Sequence, residues 1–154
     1  GVEIETYDDY LTVRSNGKLK PTNIQTLPYP GFPTDMHPQF STLLAIADGE
    51  STVYETIWKN RFKYVHELEK MGASVMVNEP FAAFKGVEKL HGACVRSVDL
   101  RAGAAIVIAG LVAEGTTEIT DIFTIERGYL DIVGKLRDLG ADISKVYIDE
   151  NAFA

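Results

Sequence analysis

Residues 34–75 read TDMHPQFSTLLAIADGESTVYETIWKNRFKYVHELEKMGASV, and residues 98–143 read VDLRAGAAIVIAGLVAEGTTEITDIFTIERGYLDIVGKLRDLGADI. Both follow one order: an aspartate, an apolar segment that ends in an acidic residue and glycine, a β-branched segment, and an arginine. The aspartate, glycine and arginine of the second stretch lie 64, 66 and 66 residues after those of the first. Such matching offsets indicate an internal duplication. The pairs are Asp35 and Asp99, Gly49 and Gly115, and Arg61 and Arg127.

Each copy predicts the element order β-α-β-α-β. NIQTL (23–27) and ACVRS (93–97) supply the first strands, glycine ends the first helix of each copy, and a Thr-rich strand follows. FAAFKGVEKL (81–90) adds one or two strands between the copies, and DISKVYI (142–148) predicts the last strand of the second copy. We therefore expect an α/β fold with two repeated β-α-β-α-β(-β) units.

The predicted organisation is one partial domain over residues 1–154. Residues 21–90 form the first unit, residues 91–150 form the second, and residues 1–20 finish a preceding unit with a hairpin around the Asp-Asp pair at 8–9. The chain has 154 residues, 45% of them apolar, which is enough for one core.

The helices of the two copies differ in their apolar patterns. The second helix of each copy carries an apolar stripe that predicts one buried face. Helix 101–114 is apolar on every side, so we expect it to be buried all round, with its glycines and alanines allowing close helix approach. The stripes consist of Phe62, Val65 and Leu68 in the first copy, and of Tyr129, Ile132, Val133 and Leu136 in the second.

Composition excludes several classes of function. The net charge of −7, from 22 acidic and 15 basic residues, argues against nucleic acid as a partner. The longest apolar run, 102–113, is too short to span a bilayer, and the chain shows no signal-peptide pattern. The single cysteine, Cys94, suits a reducing cytoplasm and is expected to be a buried structural thiol. The three histidines are scattered, so no metal site is proposed, and His37 is expected to be exposed.

The segment TLPYPGFPTDM (26–36) places three prolines before Asp35. Proline fixes φ and disfavours helix at the preceding residue, so residues 27–34 predict a rigid, extended arm. Thr34 or Asp35 then predicts a helix N-cap, because apolar residues follow at helical spacing. Asp35 is therefore either a simple cap or a positioned acid or base.

Three arginines belong to the same pattern. Arg101 lies in the first turn of a helix, where a cation is disfavoured by the helix dipole unless an anion offsets it. Arg61 and Arg127 occupy matching positions in the two copies and could converge on the same place. The set suggests a small substrate with phosphate or carboxylate groups, although capping aspartates and surface ion pairs would produce the same pattern.

Four motifs, TLPYPGFPTDM, ETIWKNRF, DLRAGAAIVIAGLVAEG and IERGY, together resemble the C-terminal part of the enolpyruvyl transferases that act on UDP-N-acetylglucosamine. The resemblance implies an inside-out α/β barrel of repeated units, with substrates bound between two domains. It also implies a cytoplasmic transferase that moves the enolpyruvyl group of phosphoenolpyruvate to the 3-hydroxyl of UDP-N-acetylglucosamine, the first committed step of peptidoglycan synthesis. We expect no cofactor.

The resemblance implies a role for seven residues. Asp35 corresponds to the aspartate that contacts the sugar 3-hydroxyl and is the proposed general base, and Arg127 is the second catalytic candidate. The backbone of Ile57 corresponds to a sugar-nucleotide contact. The expected substrate-binding residues are Asp35, Ile57, Arg61, Asp99, Leu100, Arg101 and Arg127.

Other features depart from the resemblance. Lys59 stands where the family commonly has an acid two residues before Arg61. The family's reactive cysteine, its Lys-Asn pair and a further arginine have no counterpart, so we expect a fragment that is inactive alone. The remainder of the enzyme or a second copy should cover its apolar flank, formed by Phe40, Leu43, Leu44 and Ala47. Alternatively, the N-terminal hairpin folds across that flank. The alternative functions are a transferase acting on shikimate phosphate and a non-catalytic binding domain of the same fold.

Overall fold

The computed structural model describes residues 1–147 and shows an α/β fold with three small sheets. The first sheet is an antiparallel hairpin of β1 (Val2–Thr6) and β2 (Leu11–Ser15). Its turn is closed by a hydrogen bond from the Tyr7 N–H to the Tyr10 carbonyl at 2.9 Å, and the two tyrosine rings stack. The predicted hairpin around the Asp-Asp pair is confirmed.

The second sheet has four strands: β3 (Asn23–Gln25), β4 (Glu50–Tyr54), β5 (Ser74–Asn78) and β6 (Phe81–Lys85). Their order is β3-β4-β6-β5, in which β3 and β4 are parallel and the other pairs antiparallel. A 3₁₀ turn (Thr34–Met36) and helix α1 (His37–Ala45) connect β3 to β4, while α2 (Val65–Lys70) connects β4 to β5.

The third sheet repeats the start of this plan. Strands β7 (Cys94–Arg96) and β8 (Glu118–Thr120) are parallel, as β3 and β4 are, and α3 (Leu100–Val112) connects them. Two short helices follow, α4 (Phe123–Glu126) and α5 (Ile132–Asp138). The strand-helix-strand-helix order that opens the first copy therefore recurs, whereas the boundaries at residues 20 and 90 stay a prediction.

The predicted strand at 142–148 is not found in the described part of it. Residues 142–147 form neither helix nor strand, and the rest of that segment, with the end of the second unit at 150, lies outside the described residues. In the first copy, β6 lies between β4 and β5 and hydrogen-bonds to both. Among the described residues β8 pairs only with β7, so the second copy has no counterpart of β6 there to which residues 142–147 could hydrogen-bond.

The core lies between the four-stranded sheet and the helices α1, α2 and α3. Small residues let α3 lie close to its neighbours: a Cβ on Gly103 would lie 2.2 Å from Ser97 Oγ and 2.5 Å from an Ile125 side-chain carbon. Thr42 of α1 donates a hydrogen bond to the Ala105 carbonyl of α3 at 3.2 Å. The predicted close helix approach is confirmed. The buried stripe of Phe62, Val65 and Leu68 is also confirmed, with Phe62 in the turn before α2.

Two apolar surfaces are less buried than expected. The end of α3 exposes Ile108, Leu111 and Val112, because its contacts with α1 and α4 lie nearer its start. The stripe of α5 and the turn before it is only half-buried, since none of the described helices and strands packs extensively against α5. The predicted burial of helix 101–114 on every side is therefore wrong for the described chain.

The expected apolar flank of α1 is partly covered. Leu44 and Ala47 are buried, whereas Leu43 remains exposed. A cavity of about 340 Å³ lies there, between α1, the chain start at 1–2 and the segment 19–22. Of the hairpin at 2–15 only Val2 lines this cavity, so the alternative that the hairpin folds across the flank stays a prediction. None of the helices among residues 1–147 is long and apolar enough to cross a membrane.

Two predictions of burial are wrong. His37 is fully buried, because its ring lies between Phe62, Tyr64 and the carboxylate of Glu55. Cys94 is exposed, because strand alternation turns the neighbouring Val95 into the core and the cysteine outward.

Candidate active site

The segment before Asp35 is a closed loop rather than the extended arm that the prolines predicted. The Leu27 N–H bonds to the Phe32 carbonyl at 2.9 Å, and the Gly31 N–H bonds to the Pro28 carbonyl at 2.8 Å. A Cβ on Gly31 would lie 2.3 Å from the Leu27 Cβ, so only glycine permits this return of the chain. The loop brings the chain back toward the end of β3 immediately before the 3₁₀ turn.

Asp35 does not cap a helix, so the capping prediction is wrong for both Thr34 and Asp35. The 3₁₀ turn follows Pro33, α1 follows Met36, and neither start has a side-chain cap bond. The Asp35 carboxylate points to two arginines instead: Oδ1 lies 2.5 Å from Arg61 Nη2, and Oδ2 lies 2.9 Å from Arg101 Nη2. The Asp35 side chain is 51% exposed, which leaves it reachable from solvent.

These ion pairs set the protonation of the site. The hydrogen bond from Arg101 is the main reason that the pKa of Asp35 lies below its usual value, with Arg61 adding to the effect. The same bond raises the pKa of Arg101. Asp35 is therefore ionised at neutral pH. Each guanidinium contacts it through one nitrogen, and Arg61 Nε is buried without a partner among the described residues.

Asp99 caps α3, as predicted. Its Oδ1 accepts hydrogen bonds from the backbone N–H groups of Arg101 and Ala102, both at 2.9 Å. The unfavourable position of Arg101 in the first helical turn is offset by two carboxylates, the cap and Asp35. The anion that the sequence required at this helix start thus includes a side chain of the other copy.

Leu100 and Arg127 lie at the same end of α3, with different contacts. A Cβ on Gly128 would lie 2.6 Å from Leu100 Cδ1, so the turn after α4 packs against Leu100. Arg127, in that turn, is exposed and forms no ion pair with a carboxylate of the described chain. Two of the three predicted arginines therefore converge on Asp35, and Arg127 does not.

Ile57 follows the end of β4 in a loop that leads to Arg61. Its side chain is partly exposed, and its N–H donates to Glu55 Oε1 at 2.7 Å. The Trp58 N–H donates to the same oxygen at 3.0 Å, and the Trp58 ring is exposed. The backbone N–H of Ile57 is thus already satisfied within the protein.

Sequence reasoning missed Glu55, a carboxylate that is only 3% exposed behind the Asp35 site. It accepts hydrogen bonds from Thr26 Oγ1 at 2.9 Å and from Thr34 Oγ1 at 2.7 Å, besides the two backbone N–H groups. A signal was present, because the alternation that buries Ser51 and Val53 continues to position 55.

His37 extends the buried polar group. Its Nε2 lies 3.2 Å from Glu55 Oε2 without hydrogen-bond geometry, and its Nδ1 lies 3.2 Å from the Tyr64 hydroxyl. That hydroxyl donates to Ser41 Oγ at 2.6 Å. Burial lowers the pKa of His37 to about 4 and raises the pKa of Tyr64.

Glu55 remains a carboxylate despite its burial. Desolvation acts to raise the pKa of Glu55, but the hydrogen bonds from Thr34, Trp58, Ile57 and Thr26 together lower it. The layer beneath Asp35 is thus an ionised glutamate and a neutral histidine.

Comparison with known proteins identifies relatives that match nearly the whole chain. The family model described as EPSP synthase (3-phosphoshikimate 1-carboxyvinyltransferase) matches residues 1–136. A UDP-N-acetylglucosamine 1-carboxyvinyltransferase of Finegoldia magna is 51% identical over 93% of this chain and 34% of its own length. UDP-N-acetylglucosamine 1-carboxyvinyltransferase 3 of Caldanaerobacter subterraneus is 56% identical over 95% of this chain and 35% of its own length.

A solved structure agrees with these relatives. The enolpyruvyl transferase NikO from Streptomyces tendae superposes with a TM-score of 0.87 at 30% identity, over 96% of this chain and 34% of NikO. The α/β fold of the enolpyruvyl transferase type is therefore confirmed. The chain spans about a third of the length of these relatives. Its match to the family model over most of its length shows that the chain belongs to the EPSP synthase (3-phosphoshikimate 1-carboxyvinyltransferase) family.

Proposed function

We propose that this chain is the C-terminal portion of a UDP-N-acetylglucosamine 1-carboxyvinyltransferase and carries part of its active site. The observation that carries the proposal is the Asp35 carboxylate held between Arg61 and Arg101, at 2.5 and 2.9 Å. The two arginines come from different copies of the repeat, so the fold assembles the cluster from distant segments. Identity of 51–56% to relatives with this activity in their names supports the choice of substrate.

The chemistry needs a base and cations at one place. In the proposed reaction, the 3-hydroxyl oxygen of UDP-N-acetylglucosamine bonds to C2 of phosphoenolpyruvate while C3 takes up a proton. Loss of phosphate and of one C3 proton then leaves the enol ether. Asp35, ionised through its arginine partners, accepts the hydroxyl proton. Arg61 and Arg101 have further N–H donors for the phosphate and carboxylate groups.

The other proposed contacts have weaker support. Asp99 uses Oδ1 for its cap, which leaves Oδ2 for substrate. Leu100 lies beside it at the start of α3, and Ile57 would contact the sugar nucleotide through its carbonyl, since its N–H is bonded to Glu55. Arg127 is exposed and could approach the reacting groups only in the complete site.

The setting of the reaction is part of the same proposal. We place the complete enzyme in the cytoplasm, in peptidoglycan synthesis. The exposed apolar residues at the end of α3 and on the turn before α5 would be covered by the remainder of the enzyme or by a second copy. The chain alone would then have no turnover.

Two alternatives remain distinct from this function. A transferase acting on shikimate phosphate is favoured by the description of the family model, whereas the two curated relatives above carry the other substrate in their names. A non-catalytic binding domain would have no need for an ionised carboxylate between two arginines, although a structural ion pair could also occupy that place.

A chimera tests the proposal. The Caldanaerobacter relative would be produced with its matching segment exchanged for this chain, and release of phosphate from phosphoenolpyruvate would be measured with each acceptor. We expect turnover with UDP-N-acetylglucosamine and none with shikimate 3-phosphate. Turnover only with shikimate 3-phosphate would establish the first alternative. A folded chimera without turnover, while the intact relative is active, would contradict the proposal.

A further inference from the structure

The buried carboxylate of Glu55 contacts the segments that lead to Asp35 and to Arg61. Its partners are Thr26 directly after β3, Thr34 in the 3₁₀ turn, His37 in α1, and the N–H groups of Ile57 and Trp58. Because Glu55 is only 3% exposed, bulk water does not compete with these contacts as it would at the surface. One side chain thus joins four parts of the chain.

The turn that carries Asp35 has no side-chain cap. Its backbone hydrogen bonds include one from the Met36 N–H to the Pro33 carbonyl at 3.1 Å. The residue next to Asp35 anchors this turn to the buried carboxylate, since Thr34 Oγ1 donates to Glu55 Oε2 at 2.7 Å. A hydrogen bond to a buried ionised acceptor is stronger than one between neutral groups.

The same carboxylate fixes the other side of the cluster. The Ile57 and Trp58 N–H groups bind Glu55 Oε1 at 2.7 and 3.0 Å, and this loop leads directly to Arg61. Asp35 and Arg61 are therefore both held relative to one buried group. Their own contact is partly exposed and would be too weak to define a geometry alone.

We propose that Glu55 is a positioning residue for the Asp35 base, acting through the Thr34 hydroxyl on one side and the 57–58 loop on the other. The inference rests on the proposed function, because it concerns the geometry of that reaction. A misplacement of about 1 Å at a reacting group can lower the rate a hundredfold, so contacts that fix the 3₁₀ turn carrying Asp35 would maintain the rate of the reaction.

The sharpest test removes one hydroxyl. Thr34→Val keeps the shape of the side chain and deletes the bond to Glu55, while Thr34→Ser keeps the bond. Thr42→Val is the control, since it deletes a threonine hydrogen bond elsewhere in the protein, to the Ala105 carbonyl between α1 and α3. In the chimera we expect Thr34→Val to lower kcat about tenfold with KM changed less than twofold, and Thr34→Ser to restore it. Thr42→Val should lower only the melting temperature.

A second readout does not need substrate. The pKa of Asp35 would be followed by NMR of aspartate carboxyl carbons in the 154-residue chain. With the turn released, the arginine contacts weaken, so Thr34→Val should raise this pKa toward the ordinary value, whereas Thr42→Val should leave it unchanged. If the chimera proves inactive, this shift still supports the positioning role while the proposed function fails.

The proposal has clear contrary results. Equal effects of Thr34→Val and Thr42→Val on kcat and on the Asp35 pKa would reduce Glu55 to a stabilising residue. Should Thr34→Val fail to fold, Glu55→Gln would be compared with Glu67→Gln. Glu67 is also a buried carboxylate, but it binds Lys70 and the Arg96 N–H away from Asp35. Loss of the Asp35 pKa shift in both variants, or in neither, would overturn the proposal.

Discussion

Asp35 and Asp99 hold the same place in the duplicated sequence, yet their carboxylates have different partners. Asp99 binds two backbone N–H groups at the start of α3, whereas Asp35 binds the guanidinium groups of Arg61 and Arg101. The difference begins in the preceding segment: β7 is followed closely by Asp99, while a proline-rich loop and a 3₁₀ turn separate β3 from α1. The longer connection thus goes with a carboxylate that does not cap its helix.

The layers beneath the two aspartates also differ. Beneath Asp35 lie an ionised glutamate and a neutral histidine, both buried, whereas Ser97 and Thr124 lie beside Asp99. Removal of a carboxylate from helix capping is therefore accompanied by buried titratable groups. Such groups tie the stability of this region to pH.

The largest expected effect concerns His37. Its folded pKa of about 4 lies below the ordinary 6.5, so the unfolded state binds more protons in between. The contribution of neutral His37 to the free energy of unfolding is fully present above pH 6.5, and about 3 kcal/mol of it is lost as pH falls to 4. His37→Gln should flatten this slope in urea unfolding measured across that range. His66→Gln is the control, because His66 is exposed, and an unchanged slope in His37→Gln would show that other groups cause it.

The next effect is on catalysis. In the chimera, Asp35→Asn should lower kcat by about a hundredfold or more, the usual scale for a positioned base, while binding of UDP-N-acetylglucosamine persists. The control is Asp131→Asn, which alters the capping aspartate of α5, at a positive φ that asparagine tolerates. Isothermal titration would separate binding from rate. Turnover like that of the unmodified chimera would remove Asp35 from the role of base.

The smallest effect tests the cap. Asp99→Ala removes both bonds to the start of α3 and should lower the free energy of unfolding by about 1 kcal/mol. Asp35→Ala should cost less than that, since its ion pairs are partly exposed and no helix end depends on it. Urea unfolding at pH 7 would compare the two variants. An equal loss in both would break the distinction between the two aspartates.

The sequence predicted the parts of the fold that depend on local pattern. The duplicated order, the hairpin, the Asp99 cap and the small residues of α3 all follow from spacing and residue type. Its errors arose where tertiary contacts decide. His37 is polar and follows a turn, which suggests exposure, but partners from distant segments bury it. Similarly, the prolines predicted extension, whereas Gly31 allows the loop to close.

The candidate site was predicted in part. The offset of 66 residues between Arg61 and Arg127 suggested that these two would converge, but Arg101 is the partner that Arg61 shares. Repeat symmetry relates positions in separate units and does not by itself bring them together. Glu55 escaped notice because a single acidic residue in a strand is ordinarily a surface residue, and only its burial distinguishes it.

Asp35 and an incoming anion share the same two guanidinium groups. An anion that binds the remaining N–H donors of Arg61 and Arg101 competes with Asp35 for their positive charge, so part of its binding free energy offsets the weakened ion pairs. The same competition weakens the effect of the two cations, which lower the proton affinity of Asp35. The carboxylate would therefore become a stronger base when the anion arrives, which couples occupancy of the site to its readiness to accept a proton.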